Sequence, residues 1–140
     1  MVWEESPEEF WERFREHAVR VELLPQPWSR ATLEAVTPAG VLYPFDRGAP
    51  PAPVGRVELL LHAVAASFRY RAEPPGLEPL GAGRCRIRGR TLRDLGQGYY
   101  LLDASVPLVL ASSDPLEVGL PVEVRTEPPL MAFRNEGGGD

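Results

Sequence analysis

Residues 98–110 read Gly98-Tyr-Tyr-Leu-Leu-Asp-Ala-Ser-Val-Pro-Leu-Val-Leu110, the pattern of two apolar strands joined by a short turn. Residues 31–45, Ala31-Thr-Leu-Glu-Ala-Val-Thr-Pro-Ala-Gly-Val-Leu-Tyr-Pro-Phe45, show the same pattern. Each stretch is followed by a polar, proline-bearing loop and then by a glycine, Gly55 or Gly119, that leads into a further strand. Because self-similarity within a chain reveals its architecture, this repeat decides the fold that we expect.

The repeat extends on both sides of these stretches. Val19-Arg-Val-Glu-Leu-Leu24 precedes the first copy, as Cys85-Arg-Ile-Arg-Gly-Arg90 precedes the second. A last strand closes each copy, at 67–73 and at 130–136. Short strands at regular spacing are typical of barrels and sandwiches. We therefore predict a mainly β protein made of two small tandem five-strand, barrel-like units, or of one fused double unit.

The predicted organisation has five parts. They are an N-terminal helix within 1–18, a first β unit at 19–73, a Pro/Gly-rich linker at 74–83, a second β unit at 84–133 and a flexible tail at 134–140.

One segment, 56–71, fits two templates. Its apolar residues match the spacing of a helix as well as that of a strand pair. The corresponding segment 122–133 contains Pro128-Pro129, which excludes a helix there. The comparison favours a hairpin in both places.

An amphipathic helix is predicted at 7–18. Ser6 is a favourable N-cap, Pro7 suits the first helical position, and Glu9 completes a capping box. The apolar side chains at helical spacing should dock on the sheet; they are Phe10, Trp11 and Phe14.

Composition excludes several classes of protein. The chain has 140 residues, with 20 acidic and 15 basic side chains and a net charge of −5, and 44% of it is apolar, which excludes wholesale disorder. No apolar run approaches the roughly 18 residues of a membrane helix. The N-terminus is acidic where a signal peptide would be basic and then apolar, and a single cysteine forms no intrachain disulfide. We expect a cytoplasmic protein that does not enter the membrane.

Arginines carry the clearest chemical signal, because every basic residue of the chain is an arginine. Alternation along a strand places Arg84, Arg86, Arg88 and Arg90 on one face, about 6.6 Å apart, and Arg93 follows closely. A shorter row of the same kind consists of Arg69 and Arg71.

The arginine row has two interpretations. Closely spaced guanidinium groups suit phosphate, which predicts an anion site. The alternative is a solvated outer face, paired across strands with acids such as Glu123 and Glu127.

The second half of the chain resembles two families of small barrels, most strongly over 84–136. After the strand pair and loop, residues 116–124 read Leu-x-x-Gly-x-x-Val-x-Val, which is similar to OB-type and PilZ-type barrels. OB barrels hold single-stranded nucleic acid in a basic groove with stacking aromatics. Tyr99 and Tyr100 are the candidate aromatics, and strand alternation would expose one of them.

The PilZ resemblance implies a different ligand, cyclic di-GMP. That family carries an Arg-x-x-x-Arg switch and an Asp/Asn-x-Ser-x-x-Gly motif. Arg86-Ile-Arg-Gly-Arg90 has the first spacing, and Asp103-Ala-Ser105 begins the second. Leu108 stands where the family has glycine.

Catalytic chemistry finds little support in the sequence. His17 and His62 are too few for the usual metal sites, Cys85 has the character of a core residue, and the serines lack a neighbouring base. We predict no catalytic residue, no metal and no cofactor.

The predicted function is therefore a non-enzymatic binding module whose ligand is anionic, either single-stranded nucleic acid or a cyclic dinucleotide. The alternative is a protein-interaction or structural subunit that meets its partner through helix 7–18. The oligomeric state is left open by the sequence.

Overall fold

The structure, a computed structural model, describes residues 6–26 and 31–135. Within them it is mainly β, as predicted, with one short α-helix and ten strands in a mixed sheet. The elements are α1 (Pro7–Phe14), a 3-10 turn (Arg15–His17), β1 (Val19–Leu23), β2 (Ala35–Thr37), β3 (Gly40–Leu42), β4 (Phe45–Asp46), β5 (Gly55–Tyr70), β6 (Gly76–Gly81), β7 (Arg84–Gly96), β8 (Tyr99–Asp103), β9 (Pro107–Ala111) and β10 (Pro121–Phe133).

Two long strands, β5 and β10, organise the sheet. They pair antiparallel from Tyr70 opposite Val122 to Leu60 opposite Phe133. The hairpins predicted within 56–71 and 122–133 are wrong, because each segment is one continuous strand. Segment 56–71 has no glycine, proline, asparagine or aspartate to form a turn. In β10 the register shifts across Pro128 and Pro129, which cannot donate to the ladder.

The two halves of the chain repeat one pairing pattern. β1 pairs antiparallel with β2 and β5, and β2 with β3; likewise β7 pairs with β8 and β10, and β8 with β9. The long strands then cross between the halves. The middle of β5 runs parallel to β9, with His62 opposite Val109, and the end of β10 runs parallel to β4, with Met131 opposite Phe45. Separate tandem units are not confirmed, because the halves share one sheet.

The segment predicted as a linker, 74–83, is mostly strand. β6 folds back on β7 through the turn Gly81-Ala82-Gly83, whose three residues all have positive φ. Glycines at this turn adopt that conformation without steric cost. Residues 76–81 are therefore strand rather than linker, and Glu78 of this segment lies beside β7.

A main core and a smaller aromatic cluster fill the interior. The main core draws on both halves, with Leu59, Ile87 and Leu102 fully buried. The smaller cluster lies beneath α1 and contains Phe10, Trp11, Phe14, Leu60, Tyr99, Val109, Ala111 and Phe133. The predicted burial of the aromatic helix face is confirmed.

The predicted start of the helix is also confirmed. The Ser6 hydroxyl accepts from the Glu9 amide at 3.1 Å, and the Glu9 carboxylate accepts from the Ser6 amide at 3.1 Å. The α-helix ends at Phe14, before the predicted residue 18. The 3-10 turn follows it, and β1 then begins at Val19.

Both ends of the chain extend beyond the described residues. Residues 1–5 of the predicted N-terminal region 1–18 lie outside the described residues, and so do residues 136–140 of the predicted tail. Arg134, the first residue of that tail, is held by both oxygens of Asp46, at 3.1 and 2.9 Å.

Gly89 of β7 lies against the chain that leaves β8. A Cβ placed on Gly89 would be 2.3 Å from the carbonyl oxygen of Asp103 and 3.0 Å from its carbonyl carbon. Backbone atoms cannot move aside as the tip of a flexible side chain can. We expect Gly89→Ala to lower the free energy of unfolding by about 1–3 kcal/mol, the usual range for overpacking, measured by urea denaturation.

The matched control is Gly76→Ala, on β6, which pairs with β7. A Cβ there would meet only the guanidinium end of Arg88, at 3.2 Å. We expect a change within about 0.5 kcal/mol. Equal effects of the two substitutions would contradict the close approach of Gly89 to Asp103.

Candidate functional site

The arginines of the predicted row lie on a face shared by β5, β7 and β10, which we call the arginine face. It consists of Arg69, Arg71, Arg84, Arg86, Arg88, Arg90 and Arg125. The register aligns them across the strands, with Arg86 opposite Arg125 and Arg88 opposite Glu123, which is itself opposite Arg69. Cys85 and Ile87 point to the core, as strand alternation predicts.

Glu123 lies at the centre of the arginine face. Its carboxylate accepts from Nε of Arg69 at 2.5 Å and from a terminal nitrogen of Arg86 at 2.6 Å. Only 2% of the residue is exposed, because the two guanidinium groups cover it. The hydrogen bond from Arg69 is the main cause that lowers the pKa of this carboxyl, and burial opposes it. Glu123 is therefore ionised at neutral pH and compensates these two arginines.

Two further glutamates compensate the middle of the face. Arg86 is 3.0 Å from Glu78 and 3.6 Å from Glu73, and Glu73 also pairs with Arg71 and lies 3.8 Å from Arg88. The sequence predicted acids from neighbouring strands, and Glu123 is one of the two it indicated. The other, Glu127, forms no ion pair within the described part of the chain.

Glu78 was missed as a partner because 74–83 was read as a linker, and Glu73, which lies just before that segment, was not connected with the arginine row. The signal that could have found them is the Gly81-Ala-Gly83 sequence, a tight turn that returns the chain to Arg84.

Three arginines of the face lack a carboxylate partner among the described residues: Arg84, Arg90 and Arg125. All three are exposed. Arg90 donates to the carbonyl oxygen of Gly119 and lies opposite Asp103 in the ladder. The side chains of Arg84 and Arg125 form neither a hydrogen bond nor an ion pair within 6–26 and 31–135.

Arg93 does not continue the row. The register of β7 against β8 shifts between Thr91 and Arg93, which changes the alternation of the strand. Thr91 is fully buried, and Arg93 lies 3.8 Å from Glu16 in the 3-10 turn. The charge of Arg93 therefore lies beside the 3-10 turn and not on the arginine face.

Tyr99 and Tyr100 are both buried, with 3% and 6% of each exposed. The prediction that one of them is exposed for base stacking is wrong. Strand β8 is covered on both sides, by α1 over Tyr99 and by the main core over Tyr100, so alternation exposes neither. Tyr70 is the exposed aromatic near the face, at 46%, and its hydroxyl accepts from the Glu117 amide at 2.9 Å.

Asp103 and Ser105 form the turn between β8 and β9. The Asp103 carboxylate accepts from the Ser105 amide at 3.2 Å, and Ser105 has a φ of 73°. Both residues are exposed, but Asp103 is engaged by its own turn. Arg86 is held by three carboxylates, so Arg86 and Arg90 do not present a matched pair of free guanidinium groups.

Other chemistry finds no constellation in the described residues. They contain no group of three or more His, Cys, Asp or Glu side chains placed to hold a metal, and none of their helices is long and apolar enough to cross a membrane. Burial raises the pKa of the Cys85 thiol, which keeps it protonated at neutral pH.

No protein-family model matches this chain, and no curated protein or solved structure shows significant similarity to it.

Proposed function

We propose that this protein is a non-enzymatic binding module, acting in the cytoplasm, whose arginine face holds a single-stranded nucleic acid through its phosphates. One observation carries the proposal. The exposed guanidinium groups of Arg84, Arg90 and Arg125 lack carboxylate partners in the described structure, whereas their neighbours on the same face have them.

The face divides its arginines between two roles. Arg69, Arg71, Arg86 and Arg88 pair with glutamates and fix the surface. The unpaired arginines carry positive charge that no carboxylate of the described residues compensates, and a bound polyanion neutralises it. A guanidinium group offers two parallel donors to phosphate, so each unpaired arginine is a ready phosphate contact.

The burial of both candidate tyrosines limits the kind of recognition. With Tyr99 and Tyr100 buried, the proposed contacts are made to the nucleic acid backbone, which gives binding without base specificity. A cyclic dinucleotide receives less support, because Arg86 is already compensated by three carboxylates.

We infer further that the chain is one fused double unit. The strand pairing supports this inference, because β1, β2, β3 and β5 pair with one another in the same pattern as β7, β8, β9 and β10 do. The arginine face depends on this fusion, since Arg69 comes from the first half and Glu123 from the second.

The salt dependence of binding tests the proposed function. Each neutralised phosphate of a single strand contributes about −0.7 to the slope of log K against log salt, so three contacts should give a slope of about −2. Replacing Arg90 and Arg125 together by glutamine should flatten that slope by about 1.4. The measurement is fluorescence anisotropy of labelled single-stranded DNA and RNA, titrated from low to moderate salt.

Arg20→Gln is the control, because Arg20 lies on β1 away from the face. It should leave the slope unchanged. Failure of DNA, RNA and cyclic di-GMP to bind at low salt, or equal slopes for the parent and the double variant, would contradict the proposal. The favoured function would then be that of a protein-interaction or structural subunit. The apolar side of α1, the surface expected to meet a partner, is however already buried on the sheet.

A further inference from the structure

A cavity of about 330 Å³ lies where the two halves of the chain meet. One wall comes from β3 and β4, a second from the β6–β7 hairpin, and a third from β10. Most of its lining is apolar, including Val41, Tyr43, Phe45, Leu77, Pro79 and Leu130.

The cavity keeps aromatic surface open to solvent. Tyr43 is 58% exposed and Phe45 is 38% exposed, although both line it. Gly81, on the opposite wall, has open space where a Cβ would stand. An open apolar concavity with exposed aromatics is a feature of small-molecule sites rather than of a packed core.

One of the described residues that line the cavity is charged. Arg84 begins β7 at this cavity, and its guanidinium group has no hydrogen-bond or ion-pair partner in the described residues. The other polar side chains among the described lining residues are those of Tyr43, Thr32 and Cys85, and none of these residues carries a carboxylate. The charge of Arg84 is therefore complementary to a single anionic group.

We propose that this cavity binds a small organic monoanion with an apolar body, such as a medium-chain or aryl carboxylate. The carboxylate pairs with Arg84, and the apolar body packs against Tyr43, Phe45 and Leu77. One water molecule takes up about 30 Å³ in the liquid, so a cavity of this volume has room for about ten non-hydrogen atoms, which is the number in octanoate. The site goes beyond the proposed function and shares only Arg84 with it.

Calorimetric titration of the protein with octanoate tests the site, with 1-octanol as the uncharged equivalent and inorganic phosphate as the charge alone. We expect octanoate to bind with one-to-one stoichiometry and octanol to bind about tenfold more weakly, because a hydrogen bond to a charged group is lost. Arg84→Gln should weaken octanoate about tenfold, and Tyr43→Ala should also weaken it. Both residues are exposed, so neither substitution removes core packing.

The matched controls are Arg90→Gln, on the same strand outside the cavity, and Val54→Ala, at an apolar residue that is 64% exposed elsewhere. Both should bind octanoate as the parent does. Arg90→Gln and Arg125→Gln affect nucleic acid binding but not octanoate, whereas Tyr43→Ala affects octanoate but not nucleic acid. Failure of this site and failure of the proposed function are therefore distinguishable.

The single cysteine supplies a second readout. Cys85 lines the cavity but is buried, so N-ethylmaleimide reaches it when the folded chain opens; octanoate that stabilises the folded chain should slow this alkylation, and Arg84→Gln should reduce the protection. Absence of binding at millimolar octanoate would overturn the proposal. Equal weakening by Arg84→Gln and Arg90→Gln would do the same, as would a Cys85 alkylation rate that saturating octanoate leaves unchanged.

Discussion

Phe10→Ala is expected to lower the free energy of unfolding by about 3–5 kcal/mol, the usual range for truncation of a buried aromatic. Phe10 is 2% exposed and is the centre of the cluster beneath α1. Its ring stacks on Phe133 at 4.3 Å between centroids and lies 4.9 Å from Phe14 and 4.6 Å from His62. Because these partners come from three elements, the surroundings cannot collapse into the space that the ring leaves. Urea denaturation followed by tryptophan fluorescence measures the effect.

Glu12→Ala is the control for this substitution. Glu12 lies on the exposed side of the same helix and pairs only with Arg15 in the following turn, at 3.4 Å. An exposed pair of this kind contributes little, so the change should stay within about 0.5 kcal/mol. If Phe10→Ala unfolds at the same urea concentration as Glu12→Ala, α1 is an independent arm, and its aromatic side becomes available to a partner.

Acidification from pH 7 to pH 4 is expected to remove about 3 kcal/mol of stability through His62 alone. Burial is the main cause that lowers the pKa of His62 from 6.5 to about 4, and the Arg47 charge adds to it, whereas the hydrogen bond to the Val109 carbonyl opposes it. Between pH 4 and pH 6.5 the His62 ring is therefore protonated in the unfolded chain but neutral in the folded protein. The contribution of His62 is complete above about pH 6.5 and is lost as the pH falls toward 4. The pKa difference, at about 1.4 kcal/mol for each unit, gives the expected size.

The test compares the free energy of unfolding of the parent and of His62→Gln across pH 4–8. The variant should lose most of the pH dependence above pH 5. Glu123 loses its contribution below its ordinary pKa of 4.5, which is mostly outside this window. His17→Gln is the control, because His17 also has a lowered pKa but is less deeply buried. Should His62→Gln not fold, NMR titration of the His62 ring in the parent measures the pKa directly, and a value near 6.5 would contradict the expectation.

Local signals in the sequence predicted local structure well. Ser6, Pro7 and Glu9 place the start of α1 because a capping box satisfies backbone donors within one turn. The alternation at 84–90 predicts that Cys85 and Ile87 are buried, since strand side chains change face at every residue.

Long-range features were harder to predict. Whether 56–71 forms a hairpin, a helix or one long strand depends on pairing with β10, far along the chain. The burial of Tyr99 depends on α1 covering a strand that alternation alone would leave half exposed. The compensation of Arg86 depends on β6, which brings Glu78 beside it. Each of these outcomes is decided by tertiary contacts, which propensity and periodicity do not encode.

The crossing of β5 and β10 has a consequence for biosynthesis. Among the described residues β10 is the last strand, and it completes the ladders of β4, β5 and β7. While the ribosome is still making residues 121–133, the emerging polypeptide has unpaired edges on three strands. The pairs that β4 and β5 make with β10 therefore form only after residues 121–133 have left the exit tunnel. Such non-local pairing slows folding, and it leaves the edges of these strands open to association with other nascent chains until β10 is in place.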